Sequence, residues 1–119
     1  MEIATVKKIH FIGVGGIGMS ALARFFVHEG RTVSGSDREL SIITEGLEAV
    51  GVQVVYKQVA ENITPDIDMV VFTEAMQHDH PEMVAARALG VPMMKQLLIL
   101  PFSNAIKVSA AISRSLIIL

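Results

Sequence analysis

Four glycines stand within the six positions of "GVGGIG", residues 13–18, between an apolar run and the start of a helical pattern. Gly13, Gly15 and Gly18 match G-x-G-x-x-G, a spacing suited to holding an anion on bare backbone rather than to covalent chemistry. Each missing side chain serves a purpose, since Gly13 lets the chain turn, Gly15 lets a phosphate approach, and Gly18 lets the helix lie close on the strand. Amides at the helix start then face the anion, and the helix dipole adds roughly 0.3–1 kcal/mol for a nearby negative charge. Asp37, about 20 residues further on, stands where a carboxylate accepts hydrogen bonds from ribose hydroxyls. A ribose carrying a diphosphate occurs in NAD, FAD and UDP-sugars alike, so loop and acid name a ligand class and no single nucleotide. The plainer reading is a tight strand-to-helix turn with Asp37 as a solvated cap.

Other reactive side chains carry less. His78, Asp79 and His80 are consecutive, and neighbours on one loop rarely converge on a metal, so no metal site is expected there. His10 in an apolar run and His28 late in a helix read as packed or solvated residues. Met93 and Met94, beside Val91 and Leu97, read as core filling. Arg24, Arg38 and Arg87 could each reach a phosphate; Arg38, directly after Asp37, is the best placed. No residue in the chain reads as catalytic.

The elements that must position the loop follow from periodicity. "KKIHFIGVG" is a near-continuous apolar run ending in glycine, as a parallel strand covered on both faces requires. Gly16 to about Glu29 is helical, with Ile17, Ala21, Leu22, Phe25 and Phe26 at helical spacing and Gly30 as terminator. "RTVSGSD" is a second strand closing on Ser36 and Asp37. Leu40 to Val50 places Leu40, Ile43, Leu47 and Val50 on one helical face. "VQVVY" and "DMVVFT" are third and fourth strands, Pro81 to Leu89 a helix opened by proline, and "VPMM" a fifth strand. The polar stretch Gln58 to Ile67 is a connection, and a short helix is expected over Gln96 to Leu100. Alternating strands and helices imply an α/β domain: a Rossmann-like, doubly wound parallel sheet of about five strands.

Composition narrows the classes further. The chain has 119 residues, of which 51% are hydrophobic, with mean hydropathy +0.52, which suits one compact core. Polar residues interrupt every stretch that approaches the ~18 apolar residues of a membrane span, so no membrane partner is expected. The N-terminus lacks a secretory layout and there are no cysteines, which makes a cytoplasmic location the expectation. A net charge of −2 with scattered Lys and Arg argues against nucleic acid as partner and leaves a small molecule.

"KKIHFIGVGGIGMSALARFF", continuing through "VSGSD", closely resembles the N-terminal domain of the Mur ligases of peptidoglycan synthesis. "HPEMVAARALGVPMMK" is similar to that family's N-P-E-x-x-x-A-x-x-x-G-x-P run, so the resemblance covers about residues 7–100. It implies that the glycine turn, Gly13 to Met19, holds the UDP of a sugar substrate, UDP-N-acetylmuramate, and not a dinucleotide. Carried over by position, Gly15, Gly16, Ile17 and Gly18 meet the diphosphate, Ser36 and Asp37 the uridine with Arg38 beside them, and Thr73, Glu74 and Ala75 line the opposite wall. Glu74 departs from the family, which has a small or hydroxyl residue there, and brings a carboxylate near the expected phosphates.

The resemblance also implies an ATP-dependent, amide-forming ligase that uses ATP with Mg2+. In the family a G-T-H-G-K-[ST] loop after about residue 105 opens the ATP-binding domain. Here that stretch is "IKVSAAISRSLIIL", without glycine and without lysine after Lys107, so it cannot wrap a triphosphate. Residues 1–104 are therefore expected to form the UDP-sugar-binding domain and 105–119 a tail, with no cofactor bound by this chain and no activity alone. A piece cut at a domain boundary, a shifted reading frame and a stand-alone binder all remain open. The apolar tail is a candidate for self-association. The rival class is an NAD-binding module, either a regulatory domain or the cofactor domain of a dehydrogenase.

Overall fold

A computed structural model describes residues 5–96. Five strands, β1 (Lys8–Ile12), β2 (Thr32–Ser36), β3 (Gln53–Val55), β4 (Met69–Phe72) and β5 (Met93–Lys95), form one sheet ordered β3-β2-β1-β4-β5. Every pairing is parallel. Helices α1 (Ile17–His28) and α2 (Ile42–Ala49) make the crossovers toward β3, and α3 (Pro81–Leu89) makes the one between β4 and β5. Strand order reverses between β1 and β4, so the chain is doubly wound as expected, with its crevice beyond the carboxyl ends of those two strands.

Alternation along the strands divides the core in two. Ile9 and Phe11 of β1 and Met69 and Val71 of β4 pack with Met19, Leu22, Ala23 and Phe26 of α1 and Leu47 of α2. Ile12 and Val70, on the opposite face, pack with Met83 and Ala86 of α3 and with Ile63, Ile67 and Val91. Met94 adds to the first cluster and Met93 to the second, the core filling expected of them. Leu97 and the helix expected over residues 96–100 lie outside the described residues except for Gln96, as do the boundary at residue 104 and the tail with its expected self-association.

Two helical faces differ from the periodicity. In α1 the buried stripe is Met19, Leu22, Ala23 and Phe26, while Ile17 is 85% exposed and Ala21 lies on the outside. The stripe keeps i, i+3, i+4, i+7 spacing but starts at Met19, two residues after Ile17. In α2 only Leu47 of the four expected apolar residues is buried, whereas Leu40, Ile43 and Val50 are exposed. Ser41 decides where that helix starts: its Oγ accepts from the Thr44 amide at 3.2 Å and the Thr44 Oγ1 accepts from the Ser41 amide at 2.9 Å. This reciprocal cap places Leu40 before the helix and turns Thr44, not Ile43, inward.

At the amino ends of the central strands, one oxygen of Asp68 accepts from the amides of Lys7 and Lys8, each at 2.9 Å, clamping the start of β1 to the start of β4. These two bonds hold the Asp68 carboxyl below its ordinary value of 3.8. A carboxyl lowered by folding stabilises the fold above its ordinary value, and that contribution disappears as the pH falls through and below 3.8. Asp68→Asn should cost about 1 kcal/mol or less at neutral pH, because the site is open to solvent. Urea unfolding at a series of pH values should show the gap between the two proteins closing as the pH drops below 4, and a constant gap would exclude this role for the charge.

Candidate functional site

The glycine turn is held from below by the end of β2. Ser36 is fully buried, and its carbonyl accepts from the amides of Gly13 and Val14 at 2.8 and 2.9 Å. Gly13 takes φ +82°, a conformation that side chains rarely adopt, and so reverses the chain out of β1. Gly15 donates its N–H to Asp37 Oδ2 at 2.8 Å, and a Cβ on Gly15 would lie 2.6 Å from that oxygen. The absence of a side chain at Gly15 thus admits Asp37, in addition to whatever ligand approaches. Gly16 donates to the Gly13 carbonyl at 3.2 Å and forms the N-cap of α1 without a side chain to accept from the first turn.

Helix geometry leaves the amides of Ile17, Gly18 and Met19 without intrahelical acceptors, and no acidic residue occupies the first turn. An anion is the natural partner for such donors. Of the expected diphosphate contacts, Ile17 and Gly18 therefore offer open amides, whereas those of Gly15 and Gly16 are engaged within the turn. Met19 offers only its amide, since its side chain is in the core. At Gly18 a Cβ would lie 2.6 Å from the side-chain amide of Gln96, the residue that follows β5.

Beside the turn lies a cleft of about 570 Å³, lined by Arg38, Gln58, Ala75, Met76, Gln77, Asp79, His80 and Pro81. That volume falls within the roughly 300–1,000 Å³ typical of small-molecule sites. Its walls come from the segments that follow β2, β3 and β4, at the topological switch point. Met76 joins cleft to turn, with its Cε 3.7 Å from where a Gly13 Cβ would be.

Of the sequence-derived site residues, Arg38 and Ala75 line the cleft, Asp37 stands between it and the turn, and Ser36 supports both from below. The buried Ser36 hydroxyl accepts from Gln58 Nε2 at 3.2 Å, so its part is to fix Gln58 and the turn rather than to present itself to a uridine. Thr73 is half-buried and its carbonyl accepts from the Met76 amide. Glu74 pairs with Lys95 Nζ at 2.9 Å, which offsets the charge that made this carboxylate awkward near a phosphate. Arg24 lies against Gly46 of α2, and Arg87 donates to the His78 carbonyl at 2.6 Å, which leaves Arg38 as the arginine of the three that lines the cleft.

His80 caps α3, its Nδ1 accepting from the Glu82 amide at 3.1 Å. Among the described residues no three of His, Cys, Asp and Glu gather to hold a metal ion. Sequence reasoning does not single out Gln58, Met76, Gln77 and Pro81 as site residues, and it weighs Asp79 and His80 only as metal ligands. The signal for all of them is position just after a parallel strand's carboxyl end. Gly35 escapes it too: its absent Cβ would fall 2.5 Å from Val14 Cβ, so β2 is bare where the turn packs on it.

Sheet order, glycine turn and cleft together define a Rossmann-like α/β domain with an uncapped helix start at its switch point. The sequence model of "Mur ligase family, catalytic domain" matches residues 8–100, and the chain belongs to that family. It is 52% identical over 86 residues to a UDP-N-acetylmuramate–L-alanine ligase of Agathobacter rectalis, an alignment covering 72% of this chain and 19% of that protein. The crystal structure of the UDP-N-acetylmuramate-alanine ligase of Thermotoga maritima superposes with a TM-score of 0.74 at 39% identity, over 84% of this chain and 23% of that one. A UDP-N-acetylmuramate:L-alanyl-gamma-D-glutamyl-meso-diaminopimelate ligase of Neisseria meningitides gives 0.70 at 29% identity, covering 77% and 29%. The chain thus spans about a fifth of the length of the curated relatives it matches.

Gly35→Ala should destabilise the domain by about 1–3 kcal/mol, since the added methyl overlaps Val14 and neither backbone can retreat without disturbing the turn. Equilibrium urea unfolding measures this, and an unchanged midpoint would show that β2 and the turn are not in fixed contact.

Proposed function

We propose that this domain binds UDP-N-acetylmuramate, with the diphosphate on the amides of Ile17, Gly18 and Met19 and the remainder of the ligand extending into the adjoining cleft. The observation that carries the reading is the uncapped first turn of α1, which opens beside a cleft of small-molecule size. Membership of the Mur ligase family favours a UDP-sugar over a dinucleotide, and the names of the relatives supply the sugar.

Within a full-length ligase of this family, the domain would serve as the substrate anchor for ATP-dependent joining of L-alanine to UDP-N-acetylmuramate. ATP and Mg2+ belong, on this proposal, to parts of such a ligase outside residues 5–96. The domain itself contributes binding and orientation: amides for the phosphates, Asp37 and Arg38 at the rim, and Gln58 held by Ser36 on the far wall. It would perform no step of bond formation. The L-alanine ligase reading is preferred to the related peptide ligase on the identities of 39% against 29% in the two superposed structures.

Thermal or urea unfolding in the presence of ligand tests this. UDP-N-acetylmuramate at 100 times its dissociation constant should add about 2.7 kcal/mol to stability, whereas NADH at the same concentration should add little. The reverse pattern would replace this function with a dinucleotide-binding one. Gly15→Val should abolish the ligand response, because the new side chain displaces the Asp37 carboxylate and blocks the approach to the turn; a retained response would remove the turn from the site.

A further inference from the structure

Two of the three segments that line the cleft, the residues after β3 and the residues after β4, come from distant parts of the chain and are joined by side chains. Glu82, second residue of α3, is fully buried. Its Oε1 lies 2.6 Å from His10 Nε2 on β1, and its Oε2 accepts from Asn62 Nδ2 at 3.3 Å. The same Asn62 nitrogen donates to the carbonyl of Lys57 at 2.6 Å, next to Gln58 of the cleft. Glu82 itself follows Pro81, which with His80 ends the other wall. On its other side, the His10 ring places Nδ1 2.8 Å from Ser34 Oγ on β2, so the imidazole joins Glu82 to two strands of the sheet.

Packing alone does not call for this arrangement. Withdrawing a carboxylate from water costs several kcal/mol before pairing, and an apolar residue of similar size would fill the space with no such cost. What a fully bonded carboxylate provides is a fixed direction for each partner. Here the partners are the sheet, through His10, and the β3–β4 connection, through Asn62.

We propose that Glu82 and Asn62 are positioning residues for the ligand cleft. Glu82 fixes the start of α3 against β1, Asn62 ties the segment at Lys57 and Gln58 to it, and together they set the separation of the two walls. The inference rests on the reading of this cleft as the UDP-N-acetylmuramate site. Asn62→Ala is the informative variant, because it removes the tie between the walls and leaves the buried His10–Glu82 pair in place.

Two readouts on the 119-residue chain test the proposal. In calorimetric titration with UDP-N-acetylmuramate, Asn62→Ala should weaken affinity about tenfold, as expected for loss of one or two aligned hydrogen bonds. In amide hydrogen exchange without ligand, protection should fall at residues 75–81 as well as at 57–63. A merely local support of the connection would release 57–63 only. Unchanged affinity in a variant whose wild-type parent binds overturns the proposal, as does exchange that is altered only at 57–63. If the wild-type chain itself does not bind UDP-N-acetylmuramate, the ligand assignment fails and the exchange at 75–81 alone decides whether the walls are tied. Should Asn62→Ala not fold, Asn62→Ser, whose shorter side chain cannot span both acceptors, takes its place with the same two readouts.

Discussion

The return of β2 onto the glycine turn is the contact on which the site depends. One buried residue, Ser36, receives two consecutive turn amides on its carbonyl and one glutamine on its hydroxyl, and the next residue, Asp37, receives a third turn amide. These bonds fix the backbone before α1 begins, so the open amides of the first helical turn are aimed without help from any ligand. Preorganised donors of this kind bind an anion without a further ordering cost. Val14, seated on the bare α-carbon of Gly35, supplies the apolar half of the same contact.

The two faces of the sheet are built differently, and the difference matters for the cleft. Toward α1 and α2 the core is apolar throughout, from Ile9 and Phe11 to Leu47. Toward α3 the apolar cluster gives way near β2 to His10, Ser34, Glu82 and Asn62, whose polar atoms bond one another. The crossover from β3 to β4 contains only a short 3₁₀ turn, Ala60–Asn62, in place of a full helix. With less helix to cover that side, directional bonds from Glu82 and Asn62 add to the apolar packing of Ile63, Ile67, Met76 and Met83 beside the cleft.

Elements whose signals are local are legible in the sequence. The helix expected over Pro81 to Leu89 has those bounds, and the apolar run of β1 that ends in glycine marks both strand and turn. The buried face of α2 differs from its apolar pattern because Ser41 and Thr44 cap each other, a pairing of two small polar residues that an apolar count does not register. Motif position assigns Gly18 to helix–strand packing, and the side chain that a Cβ there would meet, Gln96, lies 78 positions away and leaves no mark near the motif. His10 reads as packed or solvated; it is packed, and its partner Glu82 cannot be inferred from sequence, since only the completed sheet brings β1 beside α3. Likewise Glu74 looks like an intrusion until the sheet places Lys95 beside it.

Membership of the Mur ligase family and the five-stranded doubly wound sheet are consistent with one account, in which main-chain donors at a helix start receive a pyrophosphate and an adjoining cleft takes the rest of the molecule. The most direct measurement is a 1H–15N correlation spectrum recorded during titration with UDP-N-acetylmuramate. The account predicts that the amides of Ile17, Gly18 and Met19 shift most strongly, together with residues of the 75–81 wall. Shifts confined to other parts of the surface, with those three amides unmoved at saturation, would contradict it.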